Sequence, residues 1–386
     1  MVTSKKFPRK KSIVVEYEYH YGFLLLVIKI LASDGSDVDV YCSDKFCAFF
    51  NKKTDGIHNV RLISEYSAAV GTYRAIADSK YANIFFHFSV QAHKYSTFVR
   101  LLKPKAKFNI LYTPRLTNWH DQKLKFKPTK RNMIENYFNI FRYFIKKNYN
   151  FYIVHSDQMV NFIRNSSDRK VMSLPYTIRS EKKNQQQTFE NNSKLKVTIL
   201  GSIDKSRRDY LSIFNESVIK DLNLSNLEFE LAGVPNGSNF LSDNTEDNYF
   251  KMLKIELSKI SKSTGCKFIT YNNRLDDDQY NSSICQADIL LMPVNVQNYP
   301  LGSWSAGLAE SIEEDKRVMF PQKYDVPADY TTDYLTYYDA LDLMKKLNDI
   351  ATDPSKCGLS DDEKIKRDSA YSLKKISKRF FNDLQS

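Results

Sequence analysis

The chain has 386 residues, with 57 Lys or Arg against 45 Asp or Glu, a formal charge of +12, and 42% hydrophobic content. That length exceeds one ordinary core and fits two domains of roughly 150 to 200 residues each, while the hydrophobic content excludes a disordered chain. The positive balance favours an anionic partner, whether nucleotide, membrane surface, nucleic acid or acidic glycan, without choosing among them.

Near the start, FLLLVI (23–28) follows a basic stretch and resembles a signal peptide superficially. Lys29 interrupts it and no small-residue cleavage site follows, so a buried helix is expected. Strand-like runs rich in β-branched and aromatic residues fall at 12–16, 38–42, 83–88, 108–113 and 152–155, with helical patterning at 20–32 and 66–79. Strands that alternate with helices predict a parallel sheet covered on both faces. The stretch KLKFKPTKRNMIENYFNIFRYFIKKNYNF (123–151) interleaves Lys and Arg with aromatics and has Glu135 as its sole acid. It suits an anionic bilayer surface or a core helix with a basic outer face. Single-stranded nucleic acid is a third partner for such a stretch, but no RNP-like or zinc-ribbon signature supports it.

A polar segment, SEKKNQQQTFENNSK (180–194), then marks a linker, and the alternation restarts. Strands are expected at 197–200, 228–232, 267–271, 289–293 and 318–321, with helices at 211–222, 248–261 and 306–314. The fold class is therefore α/β, with two doubly wound Rossmann-like domains facing a cleft. The domains are 1–182, a linker 183–193, and 194–360, with a helical segment 361–386 that could pack back on the first domain. Ligands in such sheets bind beyond the carboxyl ends of the strands. Five scattered cysteines, Cys42, Cys47, Cys266, Cys285 and Cys357, lack the paired spacing of a zinc site and point to a reducing compartment. No apolar run approaches the roughly 20 residues of a membrane span, so a cytoplasmic location is expected.

Three stretches carry chemistry. In KLKVTILGSIDKSRRDY (194–210) a strand runs into Gly201 and Ser202, and the basic pair Arg207 and Arg208 follows where a helix should begin. Glycine lets the backbone approach a ligand and guanidinium groups meet diphosphate oxygens in pairs, although solvated arginines on an ordinary strand-turn-helix fit the same residues. In LGSWSAGLAESIEEDKRVMFP (301–321), small residues precede a helix bearing Glu310. This is either a plain loop and helix cap or a helix start that offers backbone N–H groups to a phosphate. Asp276, Asp277 and Asp278 precede a short helix and read as a cap or solvated face rather than a metal site.

With these motifs in order, the chain resembles the GT-B glycosyltransferases, in particular the nucleotide-sugar-dependent enzymes of the glycosyltransferase family 4 (group 1) type. The resemblance covers nearly the whole chain in organisation and is specific at 200–210 and 272–321. It implies that Glu310 binds ribose hydroxyls, that Ser303, Ser305, Ala306, Gly307 and Leu308 offer N–H groups to the diphosphate, and that Gly201, Ser202, Arg207 and Arg208 complete the donor site. Tyr271, Asn272 and Leu275 would border the base. ANIFFHFSVQAH (82–93) is similar to the family's strand that ends in a catalytic histidine, here His87. EYEYHYG (16–22) is similar to the first acceptor loop, which makes His20 a second catalytic candidate and Glu16, Glu18 and Tyr21 acceptor ligands. Glu16, Glu18 and His20 would share one face if extended. TPRLTNWH (113–120) adds Arg115 to the acceptor side.

Two departures stand out. Retaining relatives often carry a glutamate where this chain has Gly302, and an arginine and a lysine where it has Ser202 and Arg207. The implied activity is transfer of a sugar, with retention by resemblance, from a nucleotide-diphosphate donor to a glycan or lipid-linked glycan. No cofactor or metal is called for, and the protein could sit on an anionic membrane surface. A nucleotide-sugar epimerase, a catalytically dead scaffold or a basic binding module are the alternatives.

Overall fold

The computed structural model describes every residue except 1–9, 18–19, 55–56, 89–98, 100, 114–128, 166–168, 180–193, 206, 234–247, 274, 299–303, 329 and 331–332. The chain divides into two compact units, Met1–Tyr176 with Leu373–Ser386, and Thr177–Ser372. The segment 183–193, expected as a linker, lies outside the described residues.

The first unit contains β1 (Lys11–Val15), α1 (Tyr21–Ala32), β2 (Asp37–Cys42), α2 (Asp44–Lys53), β3 (Val60–Ser64), α3 (Ala68–Asp78), β4 (Ile84–Phe88), β5 (Phe108–Tyr112), α4 (Lys130–Lys147), β6 (Phe151–Val154), α5 (Asp157–Arg164) and β7 (Lys170–Ser173). Its seven strands are all parallel in the order β3-β2-β1-β4-β5-β6-β7. A strand covered on both faces must be apolar on both, and every residue of IFFHF in β4 is buried. The apolar run 23–28 is a helix of this core, with Phe23, Leu24 and Ile28 fully buried.

The second unit contains β8 (Leu195–Leu200), α6 (Tyr210–Ile213), α7 (Glu216–Ile219), β9 (Leu227–Ala232), α8 (Asn248–Thr264), β10 (Lys267–Thr270), α9 (Asp277–Gln286), β11 (Ile289–Leu291), α10 (Ala306–Glu313), β12 (Arg317–Pro321), β13 (Leu335–Tyr337), α11 (Ala340–Thr352) and α12 (Asp361–Tyr371). Its six parallel strands run β10-β9-β8-β11-β12-β13. One helix was expected at 211–222, and the structure has two single turns instead. Phe214 leaves helical geometry between them, fully buried and edge-on to Phe229 and Phe268 at 5.2 and 5.3 Å. Burying that ring outweighs one more helical turn.

Capping residues set several helix starts. Asp276 and Ser360 each form a reciprocal box with the third helical residue, Gln279 and Glu363. Within the second unit, the Arg367 side chain of α12 is completely buried and donates to the carbonyls of Ser311 and Lys316 at 2.6 and 3.1 Å. Those carbonyls flank the C-terminus of α10, where a cation is favourable. The chain then returns to the first unit as α13 (Leu373–Gln385), where Arg379 donates to Ser173 at 2.6 Å. Among the described residues no helix is long and apolar enough to cross a membrane.

Candidate functional site

In the second sheet the strand order reverses between β8 and β11, so their carboxyl ends flank the crevice where a doubly wound sheet takes a ligand. β8 runs into Gly201, whose φ is +89°, and a Cβ there would meet the Arg208 guanidinium at 2.5 Å. Only glycine serves at this turn. Arg208 is 4% exposed, pairs in an isolated antiparallel bridge with Val294 just past β11, and donates to the carbonyl and hydroxyl of Ser202 at 3.2 and 3.3 Å. Its Nε is buried and meets no hydrogen-bond acceptor among the described residues. The neighbouring Arg207 is exposed in the turn and contributes its carbonyl to Asn295. Of the two arginines, the structure brings one to the crevice. The helix expected to begin at that pair begins at Tyr210 instead, because the bridge holds Arg208 extended.

α10 starts beside the same strand end. Ser305 occupies its N-cap position, 3% exposed, without a side-chain cap bond, and its hydroxyl lies 3.5 Å from Met292 Sδ. The Leu308 N–H, expected to face the diphosphate, turns back onto the Ser305 carbonyl at 3.1 Å, and its side chain is fully buried. The N–H groups of Ala306 and Gly307 stand at the first turn, where helix geometry supplies no intrahelical acceptor. Gly307 also has a packing reason to be small, since a Cβ would lie 3.0 Å from Met292 Sδ. Ser303 and Gly302 lie outside the described residues.

One turn further on, Glu310 Oε1 accepts a 2.8 Å bond from the Tyr280 hydroxyl of α9. Its Oε2 is buried and meets no donor among the described residues. Burial pushes the Glu310 carboxyl up to about 7, with Glu313 adding to the rise while the Tyr280 bond and the Arg208 charge oppose it. Burial, then Glu310, holds the Tyr280 hydroxyl well above its ordinary value, so it remains a donor. Tyr280 was not anticipated from sequence, because nothing in DDDQYNSS marks a partner 30 positions away.

The residues expected around a base are less concentrated. Tyr271 follows β10, and its hydroxyl donates to Glu230 at 2.6 Å in a cluster that also takes Ser283 at 2.6 Å and Lys196 at 3.1 Å. Asn272 is exposed and accepts from Lys254 at 3.3 Å, and Leu275 is half-buried. β10 lies two strands from β8, so the link from this loop to Glu310 runs through Tyr280.

No family model matches the chain, and no curated protein matches it. Solved structures do. Anabaena HepE in complex with UDP aligns with a TM-score of 0.63 at 10% identity, covering 97% of this chain and 99% of that one. An α,α-trehalose-phosphate synthase (UDP-forming) from Burkholderia vietnamiensis aligns at 0.56 and 10%, covering 97% and 99%. The N-terminal domain of Candida albicans trehalose-6-phosphate phosphatase aligns at 0.55 and 12%, covering 99% and 97%. The chain has the GT-B fold.

In the first GT-B unit the equivalent strand-order reversal lies between β1 and β4. Here the sequence reading needs two corrections. His87 was expected to face the cleft from the end of its strand, but it is 1% exposed, with Nδ1 against the Tyr149 hydroxyl. Both faces of β4 are covered, so Phe86 and Phe88 on the opposite face are buried as well. Glu16 was expected on an acceptor loop in line with His20, yet it is fully buried and accepts the Tyr17 N–H at 2.8 Å. His20 does not continue the strand. It adopts a left-handed conformation, φ 69°, as the residue before α1, half-exposed and edge-on to Tyr112 at 5.2 Å.

Tyr112 in turn bonds His155 at the end of β6, and burial followed by the His20 charge pushes His155 down to about 3. His155 therefore stays neutral beneath His20, a histidine that sequence patterning left as an ordinary strand end. Glu18 and Arg115 lie outside the described residues, as does the side chain of Tyr21, whose backbone opens α1.

Proposed function

We propose that this GT-B chain is a glycosyltransferase that moves a sugar from a nucleotide-diphosphate donor to a hydroxyl of a glycan or lipid-linked glycan, in surface polysaccharide or glycolipid assembly. The observation that carries this reading is Glu310 Oε2, a buried acceptor without a donor among the described residues, one turn into a helix that starts beside the buried Arg208. A buried polar atom without a partner costs free energy unless a ligand supplies one, and a ribose hydroxyl would do so.

In this reading Arg208 and the Ala306 and Gly307 N–H groups meet the diphosphate. As the acceptor oxygen bonds to the anomeric carbon, the bond from that carbon to the diphosphate oxygen breaks, and the leaving phosphate gains negative charge. A guanidinium and a helix N-terminus stabilise that charge. His20, the half-exposed imidazole at the corresponding place in the first unit, serves the acceptor. Retention of configuration follows the family resemblance, and a reducing cytoplasmic setting follows the five cysteines, none of them in a disulfide.

The test is thermal stability against a panel of nucleoside diphosphates and nucleotide sugars, beginning with uridine because the HepE structure holds UDP. A ligand bound only by the native state must stabilise it, by about 2.7 kcal/mol at a hundred times its Kd. One base should raise the melting temperature, and Glu310→Ala should remove the rise. A shift that survives Glu310→Ala, or no shift with any base, overturns the assignment. Nucleotide released only when an acceptor glycan is added separates a transferase from an epimerase.

A further inference from the structure

At the opposite edge of the first sheet, where β5, β6 and β7 begin, the surface holds two adjoining grooves of about 660 and 530 Å³. They share Lys107, Asn150 and Arg169, and between them collect the exposed cations Lys103, Lys105, Lys107, Lys147, Arg169 and Lys170, with no acid among the described lining residues. None of the five lysines pairs with a described acid. Lys147 closes α4, and its ammonium sits 4.3 Å over the ring of exposed Tyr143.

From there an apolar stripe runs up α4. Met133, Tyr137, Ile140 and Phe144, spaced four, three and four apart on one face, are 65%, 46%, 49% and 52% exposed. Asn136, Asn139 and Arg142 are half-buried behind them. α4 turns one apolar side inward, with Ile145 buried in the core, and this second apolar row faces out. An exposed apolar row bordered by cations marks an interaction surface.

We propose that the outer face of α4 and the lysine grooves at its C-terminal end dock on an anionic lipid bilayer. The stripe spans about 16 Å at 1.5 Å per residue, so the helix can lie flat with its aromatics at the acyl boundary. Lys147 and the groove lysines then reach the headgroup phosphates while their stems cover apolar surface. A neutral protein partner would account for the stripe and leave the lysine-lined groove unexplained.

The experiment is co-sedimentation of the full chain with vesicles of phosphatidylcholine alone and of phosphatidylcholine mixed with phosphatidylglycerol, at low and high salt. Binding should require phosphatidylglycerol and weaken with salt. Each lysine near such a surface is worth about fivefold, so Lys105→Ala, Lys107→Ala and Lys147→Ala together should weaken binding on the order of a hundredfold. Tyr137→Ser with Phe144→Ser should weaken it even at low salt. Both variants should keep the wild-type circular dichroism and its melting temperature, because they alter exposed side chains. Failure to sediment, equal sedimentation with neutral vesicles, or unchanged binding by the variants overturns the proposal. So does a concentration-dependent dimer lost in the stripe variant, which would assign the face to a second copy.

Discussion

Glu310→Gln should make the ligand-free protein more stable while removing nucleotide binding. The amide keeps the carboxylate's shape and an oxygen for Tyr280, but it carries no charge into a buried place. Glu310 rises from the ordinary glutamate value to about 7 in the fold, chiefly through burial. A rise of roughly 2.5 units corresponds to about 3 kcal/mol at 1.36 kcal/mol per unit. Because the residue is partly exposed, solvent screening brings the expected gain nearer 2 kcal/mol.

The sign follows from proton counting. A carboxyl whose folded pKa is raised binds its proton more tightly when folded, so its contribution is fully present below the unfolded pKa and is lost as pH rises to about 7. Wild type and variant should therefore melt alike near pH 4 and diverge between about pH 4.5 and 7, with a constant gap above that. For a unit of roughly 200 residues, 2 kcal/mol is about 4–8 °C. The assay is calorimetric melting across that pH range, without ligand and with the stabilising nucleotide. A variant that melts below wild type at pH 8, or a gap that does not shrink toward pH 4, refutes the reasoning about Glu310.

Arg208→Ala should abolish stabilisation by nucleoside diphosphates, whereas Arg207→Ala should leave it within about twofold, since only Arg208 is buried at the crevice; titration calorimetry decides. Gly201→Ala should cost about 1–3 kcal/mol and weaken nucleotide binding as well, because the new Cβ adds strain at positive φ and meets the Arg208 guanidinium. A melting temperature and nucleotide affinity both equal to wild type would refute that account.

Much of the fold was legible because parallel strands buried on both faces read as largely apolar runs, as in β4 and β11. What escaped was marginal in pattern. β3 is a half-exposed edge strand, and β7 and β13 are only four and three residues long. The candidate site was legible where it rests on local backbone chemistry, at Gly201 and the start of α10. It was not legible where a side chain's direction decides. The antiparallel bridge to Val294 selects Arg208 over Arg207, and the covering of both faces of β4 buries His87 against Tyr149. A contact 30 positions apart recruits Tyr280. Each depends on tertiary pairing that no local window contains.

The buried Arg367 has a practical consequence for anyone dividing this protein. A fragment cut at residue 360, where the sequence reading ends the nucleotide-binding domain, would lose the guanidinium that holds the Ser311 and Lys316 carbonyls. It would also lose Asp368 and the Tyr371 carbonyl, both partners of Arg179. The smallest piece that keeps the Glu310 helix anchored at both ends runs from Thr177 through Ser372, so a fragment made for crystallisation or display should begin and end there.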